Sequence, residues 1–256
     1  MPRPLVITRP LAQSLALAQQ LRDGDREVVI LPLLEILPLP DTSALQAVLA
    51  QLESFALVAF VSPNAIDATF ARIASWPPSV PLAVMGEGSR RALARHGVVD
   101  GPYRITSPLD TQRTDSQTLL EALDLSRLQG QQVLIVRGES GRELLADALR
   151  DAGISVQQVA AYRRAAPMLD DVLRQRLTDL LELEGDWVVT SSEALQVLMH
   201  LVQQVDAESG VDKIQRMTLF VPHRRIAETA LSLGFRTVTL TGSGDEGLLT
   251  ALQSTP

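Results

Sequence analysis

The pentapeptide LVITR at 5–9 and its near copy VLIVR at 133–137 decide how this chain folds. They lie 128 residues apart, and the tripeptide LRD at 21–23 recurs at 149–151 with the same spacing. Two matches that share one offset indicate an internal duplication. Each pentapeptide is a short aliphatic run of the kind that forms a buried strand in a parallel sheet.

Two further strand–turn–helix units are repeated in the same order. Residues 58–65 (VAFVSPNA) correspond to 187–194 (WVVTSSEA), and residues 84–97 correspond to 221–234. Short aliphatic runs alternate with longer amphipathic stretches along the chain, a rhythm typical of parallel sheets with helices on both faces. We therefore predict an α/β fold of two similar, doubly wound parallel-sheet domains.

Two extended segments predict a two-stranded β connector between these domains. They are residues 34–40 (LEILPLP) and, at the corresponding place in the second half, residues 159–166 (VAAYRRAA). The prolines of the first segment exclude a helix but are tolerated in an edge strand. If the segments pair, residues 41–158 form one α/β domain, and residues 1–33 join 167–256 in a discontinuous one.

Composition excludes several classes of protein. At 46% hydrophobic and 21% charged residues, the 256-residue chain has the composition of a globular protein and not of a disordered one. It has no cysteine, and its three histidines, at 96, 200 and 223, show no ligand spacing, so we expect no metal and no cofactor.

Charge and hydropathy also exclude several classes of binding partner. The net charge of −7 argues against nucleic acid, which requires a cationic face. The only apolar run near the start, residues 5–7, is too short for a signal peptide or a membrane span, so we expect a cytoplasmic protein without a membrane partner. No long heptad or repeated apolar face calls for assembly, and we expect a monomer.

Turns that follow the repeated strands are the candidate binding site. Open α/β sheets bind ligands where the carboxyl end of a strand meets the amino end of a helix. Backbone N–H groups there attract carboxylates and phosphates, so an acidic protein can still hold a polyanion. Alternatively, the serines of these turns are only N-caps. The candidate binding residues are Arg9, Ser62, Pro63, Asn64, Gly86, Ser89, Arg137, Gly138, Thr190, Ser191, Ser192, His223, Arg225 and Ile226.

Two other motifs carry less weight. Residues 242–247 (GSGDEG) match the dinucleotide pattern GxGxxG, but that fingerprint needs a following strand and an acidic residue about 20 positions later, whereas the sequence stops at Pro256. We therefore expect a glycine-rich turn before a last helix at 246–252. No GxSxG elbow occurs, so a hydrolase is not supported.

Tyr162 is the candidate catalytic residue. It is one of only two tyrosines, the other being Tyr103, and it lies in the predicted connector. A phenol is protonated at neutral pH, so it can donate a proton but is a poor base. The alternative is that Tyr162 packs at a domain junction, and its position alone leaves both roles open.

Taken together, the repeated segments resemble the uroporphyrinogen-III synthase family over essentially the whole chain. Their order, their spacing and their combination with Tyr162 make the resemblance specific. The segments are LVITRP at 5–10, VSPNAI at 61–66, VMGEGSRRAL at 84–93, VLIVRGESGRELLADALRDAGISVQQVAAYRR at 133–164, VVTSSEAL at 188–195 and VPHRRIAETALSLGF at 221–235.

That resemblance implies two α/β domains joined by a two-stranded ladder, and a cyclising lyase of haem biosynthesis that uses no cofactor. Its substrate would be hydroxymethylbilane, a linear tetrapyrrole with acetate and propionate carboxylates. Loss of the terminal hydroxyl and inversion of ring D through a spiro intermediate would give uroporphyrinogen III. The family's tyrosine falls on Tyr162, and we hypothesise that Tyr162 donates a proton to the leaving hydroxyl.

The family's substrate-binding residues fall on Ser62, Ser89, Arg137 and 190–192, with backbone amides binding many of the carboxylates. Ser89 stands where threonine is usual, which keeps a hydroxyl. Ile226 stands where some members have threonine, so the amides of residues 225–227 or His223 would have to replace that contact.

The alternative hypothesis, from another functional class, is a non-catalytic two-domain protein that binds a small polyanion. It accounts for the duplicated turns, because two-domain binding proteins share this architecture. It leaves Tyr162 unexplained.

Overall fold

The computed structural model describes residues 3–108, 116–141, 143–242 and 244–253. Contacts divide the chain into two compact units. The first unit is Met1–Glu35 with Ala165–Pro256, and the second is Ile36–Arg164. The chain therefore passes from one unit to the other twice. The domain boundaries given above, 1–33 with 167–256, 41–158 and the connector segments 34–40 and 159–166, stay predictions.

Strands and helices alternate along the described residues. The strands are β1 (Leu5–Ile7), β2 (Val28–Ile30), β3 (Glu35–Leu37), β4 (Leu57–Phe60), β5 (Leu82–Val84), β6 (Ile105–Thr106), β7 (Gln132–Gly138), β8 (Ser155–Ala165), β9 (Asp186–Val188), β10 (Thr218–Val221) and β11 (Thr237–Leu240). The helices are α1 (Leu11–Asp23), α2 (Ser43–Leu49), α3 (Pro63–Phe70), α4 (Glu87–Arg95), α5 (Ser116–Ala122), α6 (Leu125–Leu128), α7 (Leu144–Asp151), α8 (Asp171–Glu182), α9 (Ser192–Val205), α10 (Gly210–Arg216), α11 (Arg224–Ser232) and α12 (Gly244–Gln253), and a short 3₁₀ turn spans Leu52–Ser54.

The first unit is built on a parallel sheet with the order β11-β10-β9-β1-β2. Leu5 of β1 is level with Val28 of β2 on one side and with Asp186 of β9 on the other. The chain builds outward from β1 to β2, then returns to the other side of β1 and builds outward through β9, β10 and β11. The strand order therefore reverses between β1 and β9, which is where such sheets bind ligands.

The second unit has the sheet order β3-β8-β7-β4-β5-β6, and its strands from β8 to β6 run parallel. If β7 is matched with β1 and β4 with β9, as the duplicated sequences require, this sheet repeats the order of the first. Its order reverses between β4 and β7. The predicted α/β fold class with similar parallel sheets is confirmed.

Alternating side chains bury both faces of each sheet, as the period of two along a strand requires. In the second unit, Val58 and Phe60 of β4 face a core shared with α3 and α4, whereas Leu57 and Ala59 face α5 and α7. The first unit divides in the same way into one core with α8, α9 and α11 and another with α1 and α12. The helices thus cover both faces, which leaves the carboxyl ends of the strands as the place where polar turns gather.

The two extended segments of the predicted connector are neighbours in the sheet of the second unit. β3 lies beside β8 at one edge of that sheet. β8 begins at Ser155, before the predicted start at 159, and its residues from Ser155 to Tyr162 lie along β7. The two predicted segments therefore pair as expected, and the second is the end of a long strand in the sheet of the second unit.

None of the helices in the described ranges is long and apolar enough to cross a lipid bilayer.

Candidate active site

Tyr162 lies at the carboxyl edge of the second unit's sheet because of an irregularity in β8. Arg137 is level with Ala160, but the next residue of β7, Gly138, is level with Tyr162, so Ala161 is an extra residue. Such a bulge redirects the side chains that follow it. Strict alternation would place Ala161 and Tyr162 on opposite faces, yet both belong to the same core cluster. The irregularity therefore turns the Tyr162 side chain toward β4 and α3.

Ser62 meets the Tyr162 phenol at this edge. Ser62 follows β4 and is the N-cap of α3, where its Oγ accepts a hydrogen bond from the Ala65 N–H at 3.1 Å. The same hydroxyl donates to the Tyr162 hydroxyl oxygen at 3.1 Å. Pro63 occupies the first position of α3, where a missing N–H costs nothing, and Asn64 follows it. The phenol is thus tied to the amino end of a helix at the point where the strand order reverses.

Gly138 supplies the surface on which the Tyr162 ring rests. A Cβ added to Gly138 would lie 3.0 Å from Cζ and 3.2 Å from the hydroxyl oxygen of Tyr162. The backbone of the next residue closes the contact, since the Glu139 N–H donates to the Tyr162 carbonyl at 2.8 Å. Tyr162 is only 4% exposed as a result. Its ring is held on one side by glycine backbone and at its tip by Ser62.

Arg137, a predicted binding residue, is already engaged within the second unit. Its Nη1 donates to Glu143 Oε1 at 2.5 Å and to Gln158 Oε1 at 2.6 Å. Gln158 in turn donates to the other oxygen of Glu143 at 2.5 Å. Two hydrogen bonds lower the pKa of the Glu143 carboxyl below its usual range. The larger effect comes from Gln158 and the next largest from Arg137. The guanidinium therefore carries a charge-assisted network that links β7, β8 and the turn before α7.

A cavity of about 450 Å³ opens beside this network. Gly141 needs its lack of a side chain here, because its φ is +157° and an added Cβ would come within 2.7 Å of Arg137 Nη2. The cavity contains one arginine and two glutamates, so it has no excess positive charge for an anion. Its walls are formed by Arg137, Gly138, Glu139, Ser140, Gly141, Glu143, Gln158, Val159 and Ala160.

Gly86 and Ser89 lie at the start of α4, where Gly86 and not Ser89 is the N-cap. Gly86 is the N-cap, and Ser89 is three residues further on, within the helix. The Ser89 side chain is buried, and the Ser89 backbone N–H donates a hydrogen bond to the Gly86 carbonyl at 3.0 Å. The alternative interpretation of Ser89 as an N-cap is therefore wrong, because the glycine three residues earlier takes that position.

In the first unit, Arg9 follows β1 and forms an ion pair with Asp245 in the first turn of α12. Its side chain is 13% exposed. Arg9 and Arg137 occupy equivalent positions in the duplicated sequence, and each is neutralised by a carboxylate of its own unit. Thr8 ties the neighbouring strands together, since its Oγ1 donates to the Val188 carbonyl at 2.7 Å.

Thr190 and Ser191 lie between β9 and α9, and Ser192 is the first residue of α9. Ser191 is the N-cap, and its Oγ accepts from the Ala194 N–H at 3.0 Å, as Ser62 does in the second unit. The Ser192 hydroxyl lies 3.2 Å from Thr229 Oγ1. Ser62 and Ser191 are therefore both N-caps, and their roles in binding stay predictions.

His223, Arg225 and Ile226 lie at the start of α11, with His223 as the N-cap. The Ile226 N–H donates to the His223 carbonyl at 2.9 Å, and the Ala227 N–H donates to the same carbonyl at 3.2 Å. The Ile226 side chain is buried in the core of the first unit. The Ile226 and Ala227 N–H groups thus both serve the first turn of α11, and the expectation that the amides of residues 225–227 or His223 replace a hydroxyl contact stays a prediction.

Comparison with known proteins identifies the family. The family model described as uroporphyrinogen-III synthase HemD matches residues 16–249. The chain belongs to the uroporphyrinogen-III synthase family. A uroporphyrinogen-III synthase of Salmonella typhimurium is 32% identical over 97% of this chain and 99% of its own length, and that of Escherichia coli is 29% identical over the same shares. Membership places the chain among the enzymes of haem biosynthesis, with a small-molecule substrate, and does not favour the non-catalytic binding protein.

Solved structures of this family show the same fold. The synthase of Helicobacter pylori superposes with a TM-score of 0.60 at 15% identity, covering 98% of this chain and 99% of that one. A mutant synthase of Thermus thermophilus gives a TM-score of 0.55 at 16% identity over the same shares. At such identities the likeness concerns the fold alone.

Sequence reasoning missed three residues that hold the candidate arginines of this synthase-family protein. Glu143 and Gln158 hold Arg137, and Asp245 holds Arg9, but none was a candidate. For Asp245 the signal was an acidic residue in the first turn of a helix, which is common for structural reasons. Gln158 lies in a strand and had no signal in one sequence.

Of the glycine-rich segment 242–247, Gly242 precedes α12, residues 244–247 form the first turn of that helix, and Ser243 lies outside the described residues. α12 starts at Gly244 and not at 246, and it buries Leu248 and Leu252 in the core shared with α1. The segment therefore serves to start a packed helix of the synthase fold.

Proposed function

We propose that this protein converts hydroxymethylbilane into uroporphyrinogen III, acting as a cyclising hydro-lyase. The match of the uroporphyrinogen-III synthase model to residues 16–249 carries this proposal. The geometry supports it, because Tyr162 is held with its hydroxyl at the carboxyl edge of a parallel sheet, where α/β proteins bind ligands.

In this proposal Tyr162 is the general acid. The bond between the terminal carbon of the bilane and its hydroxyl breaks, and the phenol proton leaves with that hydroxyl as water. Electrons from the adjacent pyrrole nitrogen stabilise the resulting cation. Ring D then attacks this cation through the carbon that carries its bridge to ring C, which forms the spiro intermediate. The bond from the bridge to that carbon breaks, and the bridge bonds instead to the unsubstituted carbon of ring D next to the nitrogen. That carbon then loses a proton. One water is lost overall, and the phenol regains its proton. General acid catalysis of this kind contributes about 10²–10⁴ in rate.

Positioning is the larger task, because the bilane also closes spontaneously without inversion. Holding two reacting centres in a productive pose can supply ~7–11 kcal/mol. The amino ends of α3, α4, α9 and α11 are suited to the substrate carboxylates, since helix amino ends carry partial positive charge. The side chains of Ser89 and Ile226 are buried, so we assign these two residues the role of shaping the starts of their helices. The other proposed binding residues are Arg9, Ser62, Pro63, Asn64, Gly86, Arg137, Gly138, Thr190, Ser191, Ser192, His223 and Arg225.

The test is a coupled assay in which hydroxymethylbilane is supplied and the isomers I and III of the oxidised product are separated. We expect isomer III with the protein and isomer I without it. Isomer I alone in both reactions rules out the synthase activity.

Tyr162→Phe tests the general acid. We expect kcat for isomer III to fall by about 10²-fold or more with little change in KM, since proton donation acts in the transition state. Tyr103→Phe is the matched control, because it removes the other phenol of the chain from a position outside the proposed site. A Tyr162→Phe variant with wild-type kcat removes Tyr162 from the chemistry.

The cytoplasmic location, the monomeric state and the absence of a cofactor, a nucleic-acid partner or a membrane partner stay predictions.

A further inference from the structure

The duplicated N-caps Ser62 and Ser191 differ in one respect. Each accepts a hydrogen bond from the N–H three residues on, at 3.1 Å and 3.0 Å. Among the described residues, the Ser62 hydroxyl also meets the Tyr162 phenol, whereas Ser191 has no such contact. Capping accounts for Ser191, but it does not account for the contact between Ser62 and Tyr162.

We propose that Ser62 is a positioning residue for Tyr162, which fixes the phenol and leaves the phenol's own proton available to the leaving hydroxyl of the substrate. The inference rests on the proposed function, in which Tyr162 is the proton donor. It assigns Ser62 a role beyond holding a substrate carboxylate.

The direction of the hydrogen bonds supports this role. A serine hydroxyl has one proton to donate and two lone pairs that accept. One lone pair of Ser62 takes the Ala65 N–H, and its single proton points to the Tyr162 oxygen. The Tyr162 proton is therefore not used in this bond. It remains available for donation to the leaving hydroxyl of the substrate.

The same bond stabilises the phenol after it has given up its proton. The Ala65 N–H polarises the Ser62 hydroxyl, which strengthens its donation to the Tyr162 oxygen. A hydrogen bond to a charged oxygen contributes more than one to a neutral oxygen. The bond therefore strengthens as negative charge develops on Tyr162, which is the condition for a contribution to kcat.

Two backbone features make the position of Tyr162 depend on this bond. The irregularity between Ala160 and Tyr162 removes the ring from the regular side-chain alternation of β8. Gly138 supports the ring from one side without a side chain that could lock it. At the tip of the ring, the hydroxyl oxygen of Tyr162 accepts the hydrogen bond from Ser62.

A double-mutant cycle on turnover to isomer III tests the inference. We expect Ser62→Ala to lower kcat about 10- to 100-fold in the wild-type background, the size of one hydrogen bond to a charged group. In the Tyr162→Phe background the same change should have almost no effect, because the group on which Ser62 acts is gone. Equal losses in both backgrounds, or no loss in either, overturn the proposal.

Two further variants separate positioning from capping. Ser62→Gly removes the hydroxyl but keeps a good N-cap, so it should lose as much kcat as Ser62→Ala while remaining folded. Asp170→Ala removes another N-cap, whose side chain accepts from the Leu173 N–H at 2.8 Å, and it should leave kcat unchanged. Retention of wild-type kcat by Ser62→Gly shows that only the cap matters and overturns the proposal.

A spectroscopic readout is independent of the enzymatic activity. In a Tyr103→Phe background Tyr162 is the only tyrosine, and the intensity ratio of its Raman Fermi doublet reports whether the phenol oxygen accepts a hydrogen bond. We expect Ser62→Gly to shift this ratio toward that of a pure donor. An unshifted ratio overturns the inference. If the wild-type protein makes no isomer III but the ratio shifts, the contact stands and the proposed function fails.

Discussion

Replacing Gly138 by alanine tests whether the position of Tyr162 depends on the absence of a side chain in β7. The new Cβ would lie 3.0 Å from Cζ, 3.2 Å from the hydroxyl oxygen and 3.3 Å from Cε2 of Tyr162. Ordinary contacts between such atoms begin about 0.4 Å further out, so the ring must move by a few tenths of an ångström. Overpacking of this kind costs about 1–3 kcal/mol. The displacement also lengthens the bond from Ser62, which is 3.1 Å in the wild type.

Urea denaturation and turnover to isomer III measure the two consequences separately. We expect Gly138→Ala to lower the unfolding free energy of the second unit by about 1–3 kcal/mol, and to lower kcat together with it. Gly88→Ala is the matched control, because it adds a Cβ in α4 that meets only Pro63 Cγ at 3.8 Å. Within a helix that change should raise stability by up to about 1 kcal/mol. A Gly138→Ala protein with wild-type stability and wild-type kcat refutes the reasoning about how the ring is held.

Two more predictions concern contacts near the carboxyl edges. Thr8→Val removes the hydrogen bond to the Val188 carbonyl, which keeps the Thr8 N–H as a partner, so we expect a loss of about 1 kcal/mol in urea denaturation. Glu143→Gln should lower the urea midpoint at neutral pH. Because Gln158 and Arg137 lower the pKa of Glu143, the wild-type advantage is complete above the ordinary pKa of a glutamate and disappears as the pH falls through the lowered value. Midpoints measured across this range should converge in acid, and a difference that persists unchanged contradicts the role of the charge.

Much of the architecture followed from the repeated segments. Because 5–9 resembles 133–137 and 58–65 resembles 187–194, the strands that carry them had to occupy matching places in two sheets. The observed orders β10-β9-β1-β2 and β5-β4-β7-β8 fulfil this. A hydrophobic period of two and the right-handed crossover of parallel strands leave few other arrangements for such units. The position of the turns at the carboxyl edges follows for the same reason.

Individual side chains were less accessible to prediction. Ser62 and Ser191 could be expected to cap helices, because a serine before a helical segment is a local signal. Ser89 carried the same signal, but Gly86 took the cap position. Asp245, the partner of Arg9, is 236 residues away in the chain, and the Arg137 partners Glu143 and Gln158 are 6 and 21 residues away. No local pattern in the sequence indicates these pairs.

The local pattern of aliphatic runs, turns and amphipathic stretches was enough to establish an α/β chain with two duplicated sheets and polar turns at equivalent strand ends, because period and repetition are properties of neighbouring residues. Packing alone decided where the phenol points. One extra residue in β8 turns Tyr162 onto the face that carries Ser62, and the bare backbone of Gly138 leaves room for its ring. A register shift of this kind depends on how separate strands meet, so no single segment of the chain records it.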